Sequence, residues 1–99
     1  MKGSFNNIIT SDTPVLVDFF ADWCGPCKVL TPVLRQVKDE LGEEVTIVKI
    51  DVDKNPSIAS KFDVRGVPTL LLFKSGKQLW RQSGVLQKNA IVQIIRSHS

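Results

Sequence analysis

Val15-Leu16-Val17-Asp18-Phe19-Phe20 runs almost directly into Trp23-Cys24-Gly25-Pro26-Cys27 and then into a stretch of helical periodicity, and this junction constrains the chain more than any other feature. A run this apolar, rich in β-branched and aromatic residues, reads as a strand buried on both faces, as in a parallel sheet. Behind it Val29, Leu30, Val33, Leu34, Val37 and Leu41 keep the three-four spacing of a core-facing helical stripe. Gly42 can end that helix, and Pro32 should kink it. Pro26 fits the first turn, where its missing N–H costs nothing, so Cys24 falls at the helix N-terminus.

The strand-helix order then recurs. Val45-Thr46-Ile47-Val48-Lys49-Ile50 is a second strand, and Asn55-Pro56 opens a short helix bearing Ile58, Ala59 and Phe62. Leu70–Phe73 and Gln78–Gln82 flank Ser75-Gly76-Lys77, short enough to force a hairpin and an antiparallel pair. A last helix from about Gln87 to Arg96 places Ala90, Ile91, Ile94 and Ile95 on one face. At the other end, Ser4 can cap a short helix with Phe5, Ile8 and Ile9 on one face, closed by Ser11-Asp12-Thr13-Pro14. The expected class is α/β, a central mixed sheet flanked by helices. No repeat, linker or low-complexity segment divides the chain, so residues 1–99 are expected to form one domain.

With 99 residues and 42% hydrophobic content, such a domain can bury about two thirds of the surface its unfolded chain exposes. The apolar stretches fall far short of the roughly 20 residues a membrane-spanning helix needs, and Met1-Lys2-Gly3-Ser4-Phe5-Asn6-Asn7 has no hydrophobic core of a signal peptide. A cytoplasmic protein without a membrane partner is expected, a periplasmic product already trimmed of its signal being the alternative. Net charge is +3, with nine acidic and five basic side chains in residues 1–53 against one acidic and eight basic in residues 54–99. The asymmetry could suit an acidic partner, but consecutive elements interleave in space, and no run of Lys or Arg resembles a nucleic-acid patch.

Cys24 and Cys27 are the only cysteines. The unpaired N–H groups and positive dipole end of a helix N-terminus favour a thiolate at Cys24, making it the candidate nucleophile. Cys27, one turn further in, should be more buried and can attack the Cys24 sulfur once a mixed disulfide has formed. A purely stabilising bridge is a poor reason for this spacing, since so small a loop removes only about 2 kcal/mol of unfolded-state entropy, against about 3 for a 15-residue loop. A metal site fails on ligand count: two thiols and the sequence-remote His98 do not make four, so no metal is expected. A reversible dithiol is the reading that remains.

Asp18 and Lys49 each interrupt an apolar strand. Burying either charge alone is costly, so the two are expected to be paired or partly wet. A desolvated Asp18 could take the Cys27 proton; otherwise the two are polar side chains at a strand end. Pro68, in Val67-Pro68-Thr69 just before a strand, must end the ladder or turn the chain, and local sequence leaves its isomer open. Trp23 is placed for contact with a substrate, and Trp80 reads as structural.

The chain resembles the thioredoxin family. The matching residues are Val17-Asp18-Phe19, Trp23-Cys24-Gly25-Pro26-Cys27-Lys28, Pro32, Lys49-Ile50-Asp51, Asn55-Pro56, Val64-Arg65-Gly66-Val67-Pro68-Thr69, Phe73-Lys74-Ser75-Gly76 and Gly84, from about Val15 to the C-terminus. The resemblance implies a general protein disulfide reductase in which Cys24 attacks, Cys27 resolves, Asp18 accepts a proton under the influence of Lys49, and Pro68 is cis. It also implies that Trp23, Gly25, Pro26, Gly66, Val67, Pro68, Gly84 and Val85 form a flat apolar surface that meets substrate.

No bound cofactor is implied beyond the redox-active Cys24–Cys27 disulfide. Reducing equivalents would come from a thioredoxin reductase, a flavoprotein using NADPH or, in some systems, a ferredoxin-dependent enzyme. Oxidised client proteins would receive them, in a role of electron transport and cell redox homeostasis. The chain itself has no nucleotide-binding motif.

Two departures from the family pattern stand out. Phe20 occupies a position where many members have tryptophan. The residues before Pro14 leave no room for the family's first strand ahead of the helix near Ser4, so that strand is expected to be missing or vestigial. The Val45–Val52 strand would then lie at an edge of the sheet, in a mainly monomeric protein. One alternative is a disulfide oxidase or isomerase on the same fold, although Gly25-Pro26 brings no charge that would stabilise the reduced form. The other is a non-catalytic binding module using the same surface.

Overall fold

The computed structural model describes residues 2–99, with side chains from Phe5 onward. In chain order they form α1 (Lys2–Ile9), β1 (Val15–Phe20), α2 (Gly25–Leu41), a 3₁₀ turn (Gly42–Glu44), β2 (Thr46–Asp51), α3 (Pro56–Lys61), β3 (Thr69–Lys74), β4 (Lys77–Ser83) and α4 (Lys88–Ser97). The strands lie in the order β2-β1-β3-β4, with β1 and β2 parallel and the other pairs antiparallel, giving the expected mixed sheet. α1 begins two residues before Ser4, which lies inside it rather than capping it; a serine is accommodated on either side of a helix start.

Alternation along the central strands sorts the core into two layers. Val15, Val17 and Phe19 of β1 and Leu71 and Phe73 of β3 face Phe5 and Ile9 of α1 and Ile58 of α3. On the opposite face Leu16, Leu70 and Leu72 meet Leu30, Leu34, Val37 and Leu41 of α2 and Ile91, Val92 and Ile95 of α4. Three stripe assignments differ from the sequence pattern, the first being Ile8, which is 37% exposed and outside the face that Phe5 and Ile9 bury. Val29 is 58% exposed, lying just outside the arc that α2 presents to the sheet. Ala90 is exposed too, while Val92 is buried, because α4 is rotated so that Ile91, Val92 and Ile95 face the core. α2 runs unbroken through Pro32, so the expected kink does not divide it. The hairpin turn Ser75-Gly76 has φ of 53° and 82°, as a two-residue turn matching strand twist requires.

Glu40 of α2 bonds Lys88 of α4 at 2.8 Å and lies 3.6 Å from Arg96. Elements from the acidic and basic halves thus interleave, and at this contact the charge asymmetry along the sequence is neutralised. Among the described residues no helix is long and apolar enough to cross a membrane.

Among the described residues β2 is an edge strand, pairing with β1 alone, because the residues before β1 form α1, which packs on a face of the sheet instead of extending its edge. The Thr46 and Val52 amides donate to the Pro14 and Phe20 carbonyls, so by alternation those of Ile47 and Lys49 point away from β1. These two amides are expected to exchange at least about a hundredfold faster than those of Leu70–Phe73, since an open edge needs no global unfolding. Uniform protection across both strands in a hydrogen-exchange measurement would contradict the open edge.

Candidate active site

β1 ends at Phe20 and the chain turns through Ala21, whose carbonyl accepts the Cys24 amide at 3.1 Å. Cys24 has extended backbone (φ −89°, ψ 111°) and caps α2, with Pro26 in the first turn. Its Sγ accepts the amide of Cys27 at 3.1 Å, so one of the helix's orphan donors is aimed at this sulfur. Cys24 and Cys27 form a disulfide with Cα atoms 5.3 Å apart. The expected difference in burial is absent, the two residues being 4% and 3% exposed. The bond draws Cys24 against its partner under Ala21, Phe20, Val52 and Val67, and the asymmetry between the sulfurs resides in hydrogen bonding instead.

Asp18 pairs in register with Lys49 on β2 and Leu70 on β3, on the sheet face covered by α2. It is fully buried, and neither carboxylate oxygen has a hydrogen-bond partner. Burial pushes its pKa up from 3.8 to about 6, with the nearby Lys49 charge opposing the rise. The expected pairing is therefore not a direct ion pair. The Lys49 Nζ donates to Thr31 Oγ1 at 3.2 Å and sits 4.6 Å from the centre of the Phe20 ring. A cavity of about 140 Å³, lined by Phe20, Ala21, Asp22, Cys27, Lys28, Thr31 and Lys49, opens beside the second cysteine.

Of the residues expected to meet substrate, all but Pro68 are exposed or half-buried; Pro68 is buried, so it does not join the surface directly. Trp23 is 70% exposed, Gly25 and Pro26 are exposed, and Val67 packs on Cys24, Cys27 and Ala21. The Val67–Pro68 bond is cis, as the family resemblance implied. Gly66 is held by Thr69, whose hydroxyl donates to its carbonyl at 2.7 Å. Gly84 donates its amide to the Pro68 carbonyl at 2.9 Å, bringing the segment that carries Val85 beside the proline loop. Its φ of 95° is a conformation that a side chain would strain. Arg81 of β4 fixes the approach to this loop by donating to the carbonyls of Phe62 and Asp63 at 2.5 and 2.6 Å.

Asp53, Thr31 and Arg81 are site-supporting residues that local sequence reading missed. Asp53 Oδ2 accepts the Trp23 indole N–H at 2.9 Å. Asp51 sets it there by accepting the amides of Asp53 and Lys54, a turn for which the Asp-x-Asp spacing after a strand is a readable signal. Nothing local marks Thr31 or Arg81, whose partners lie in other elements. Among the described residues no three His, Cys, Asp or Glu side chains converge as metal ligands.

A sequence model of the thioredoxin family matches residues 1–97. The thioredoxin of Rickettsia bellii is 42% identical over 97 residues, covering 98% of this chain and 92% of that protein. That of Chlamydia trachomatis is 49% identical over 84 residues, 85% of this chain and 81% of that one. Among solved structures, the oxidised mitochondrial thioredoxin 3 of Saccharomyces cerevisiae superposes with a TM-score of 0.87 at 33% identity, over 97% of this chain and 89% of its own. A mutant thioredoxin from Halobacterium salinarum also gives 0.87, at 39% identity over 96% of this chain and 82% of its own. These likenesses span the sheet, the cysteine junction and the proline loop alike, so the chain belongs to the thioredoxin family and its Cys24–Cys27 pair performs that family's protein-disulfide reductase chemistry.

Proposed function

We propose that the reduced chain acts as a general dithiol donor in which Cys24 is the nucleophile, Cys27 the resolving thiol and Asp18 the acceptor of the Cys27 proton, with Lys49 tuning Asp18. The observation that carries this reading is the Cys27 amide aimed at Cys24 Sγ at the start of α2, an arrangement that favours negative charge on one sulfur of the pair.

The Cys24 thiolate attacks one sulfur of a client disulfide, that bond breaks, and the displaced client thiolate takes a proton. Cys27 then yields its proton to Asp18, and its thiolate attacks Cys24 Sγ. The second client sulfur leaves as a thiolate and takes up the proton that Asp18 releases, two electrons have passed to the client, and the Cys24–Cys27 disulfide remains. An Asp18 that titrates near 6 suits this task, strong enough to accept the proton and weak enough to release it. Trp23, Pro26, Val67 and Val85, with Gly25, Gly66 and Gly84, would offer the client an apolar surface on which backbone can approach closely, and the buried Pro68 would shape the loop behind it.

The disulfide would be reopened by a thioredoxin reductase, either an NADPH-dependent flavoprotein or a ferredoxin-dependent enzyme. The chain would work mainly as a monomer in the cytoplasm, where thiols are kept reduced, supplying electron transport for redox homeostasis. The test is turnover of a protein disulfide by the full chain with a thioredoxin reductase and either NADPH or reduced ferredoxin. Catalytic client reduction is expected with one of the two; none with either refutes the dithiol-donor role.

A further inference from the structure

Lys49 stands directly across from Asp18 on the same sheet face, where an ammonium and a carboxylate would ordinarily meet. They do not meet: both Asp18 oxygens are without a partner, and the lysine has turned toward Thr31 and the Phe20 ring. An ammonium has only donors, so Thr31 Oγ1 must be the acceptor of that bond. The threonine's own proton is therefore free for the Cys27 carbonyl, which it reaches at 3.2 Å. One hydroxyl thus joins the lysine to the backbone of the second cysteine.

We propose that Thr31 is a positioning residue of the dithiol reaction, its hydroxyl and the Phe20 ring together holding the Lys49 ammonium at the rim of the cavity beside Cys27 and off the Asp18 carboxylate. The proposal rests on the reading of Asp18 as proton acceptor. Around Asp18, β2 contributes Lys49 and β3 contributes uncharged Leu70. α2 brings Cys27 and Lys28 to the cavity, and the turn after β1 brings Asp22. Lys49 is the cation in register with the carboxylate, so its placement decides how strongly the anion is favoured. Seated on Asp18, it would hold the carboxylate charged and make it a weak base; held at the rim, it leaves a base able to take a thiol proton.

The test is a carboxyl NMR titration of Asp18 in the full chain, comparing wild type with Thr31→Val, Thr31→Ser and Lys49→Met, and Thr31→Val with Lys49→Met combined. Thr31→Val releases Lys49 toward its cross-strand neighbour and is expected to lower the Asp18 midpoint by about one pH unit. Thr31→Ser keeps the acceptor and should titrate as wild type. In the Lys49→Met background, Thr31→Val should have no further effect. An unchanged or raised midpoint in Thr31→Val, an equal shift in Thr31→Ser, or a full shift without the lysine each overturns the proposal.

Should Thr31→Val not fold, Phe20→Leu loosens the other hold and is expected to lower the midpoint too; no shift there overturns the proposal equally. The titration needs no turnover. It therefore separates the placement of Lys49 from the base role of Asp18, which an unchanged rate in Asp18→Asn would refute by itself.

Discussion

Cys24→Ser is expected to abolish disulfide reduction, and Cys27→Ser to attack normally but remain bonded to its client as a mixed disulfide. A serine hydroxyl at residue 24 forms no disulfide, so the first exchange cannot begin. A serine at residue 27 leaves that exchange intact and removes the thiol that would break the resulting bond. The two cysteines are equally buried, so accessibility does not distinguish them. Distinction comes from the start of α2, where Cys24 caps the helix and its sulfur receives an amide, while Cys27 lies within the first turn. Incubating each variant with an oxidised protein and separating the products without reductant measures the outcome. Equal trapping by both variants would remove the assignment of roles.

Asp18→Asn carries the second large effect, and it moves rate and stability in opposite directions. The unfolded carboxyl titrates near 3.8 and the folded one near 6, so the folded state binds its proton more tightly. Stability from Asp18 is therefore fully present below pH 3.8 and is lost as pH rises through about 6. Above that pH the buried, unpartnered charge costs about 2–3 kcal/mol, which asparagine does not incur. The variant should thus gain stability over wild type between about pH 4 and 7, the pH-dependent part of the gain reaching about 2–3 kcal/mol. The buried amide's own unmet hydrogen bonds subtract a constant amount. Denaturant unfolding at pH 4 and pH 7 measures it, and a difference independent of pH would contradict the raised titration.

The same variant should break down the mixed disulfide about a hundredfold more slowly near neutral pH, the low end of what a positioned base contributes. Stopped-flow measurement of that step across pH checks it. Rates equal to wild type throughout would leave Asp18 a structural residue.

The hairpin, the strand-helix order and the cysteine junction were all legible along the sequence because each rests on neighbours. A continuous apolar run in Leu70–Phe73 bounded by Ser75-Gly76, spacing of three and four in Leu30–Leu41, and proline one place inside a helix start are local patterns with local causes. So is the open edge: residues before Pro14 carry a helical rather than an extended pattern, which leaves β2 with one partner. The rotation of α4 was less legible, since Ala90 and Val92 are both apolar and a short stripe admits two arcs. Packing against Leu16 and Leu72 chose between them by burying the larger side chain.

Sequence by itself thus determined the elements, their order and the two sulfurs that react, because backbone geometry and helix termini act over a few residues. Tertiary structure alone decided what surrounds those sulfurs. Asp18 and Lys49 looked like a pair because each interrupts an apolar strand, yet their relation depends on α2 lying across the sheet. That packing removes water from the carboxylate and puts Thr31 within reach of the lysine. The Trp23–Asp53 bond spans 30 residues, and Gly84 meets Pro68 only because β4 returns beside β3. Desolvation and hydrogen bonding depend on distance in space, and the chain sets those distances only once its sheet register and helix packing are complete.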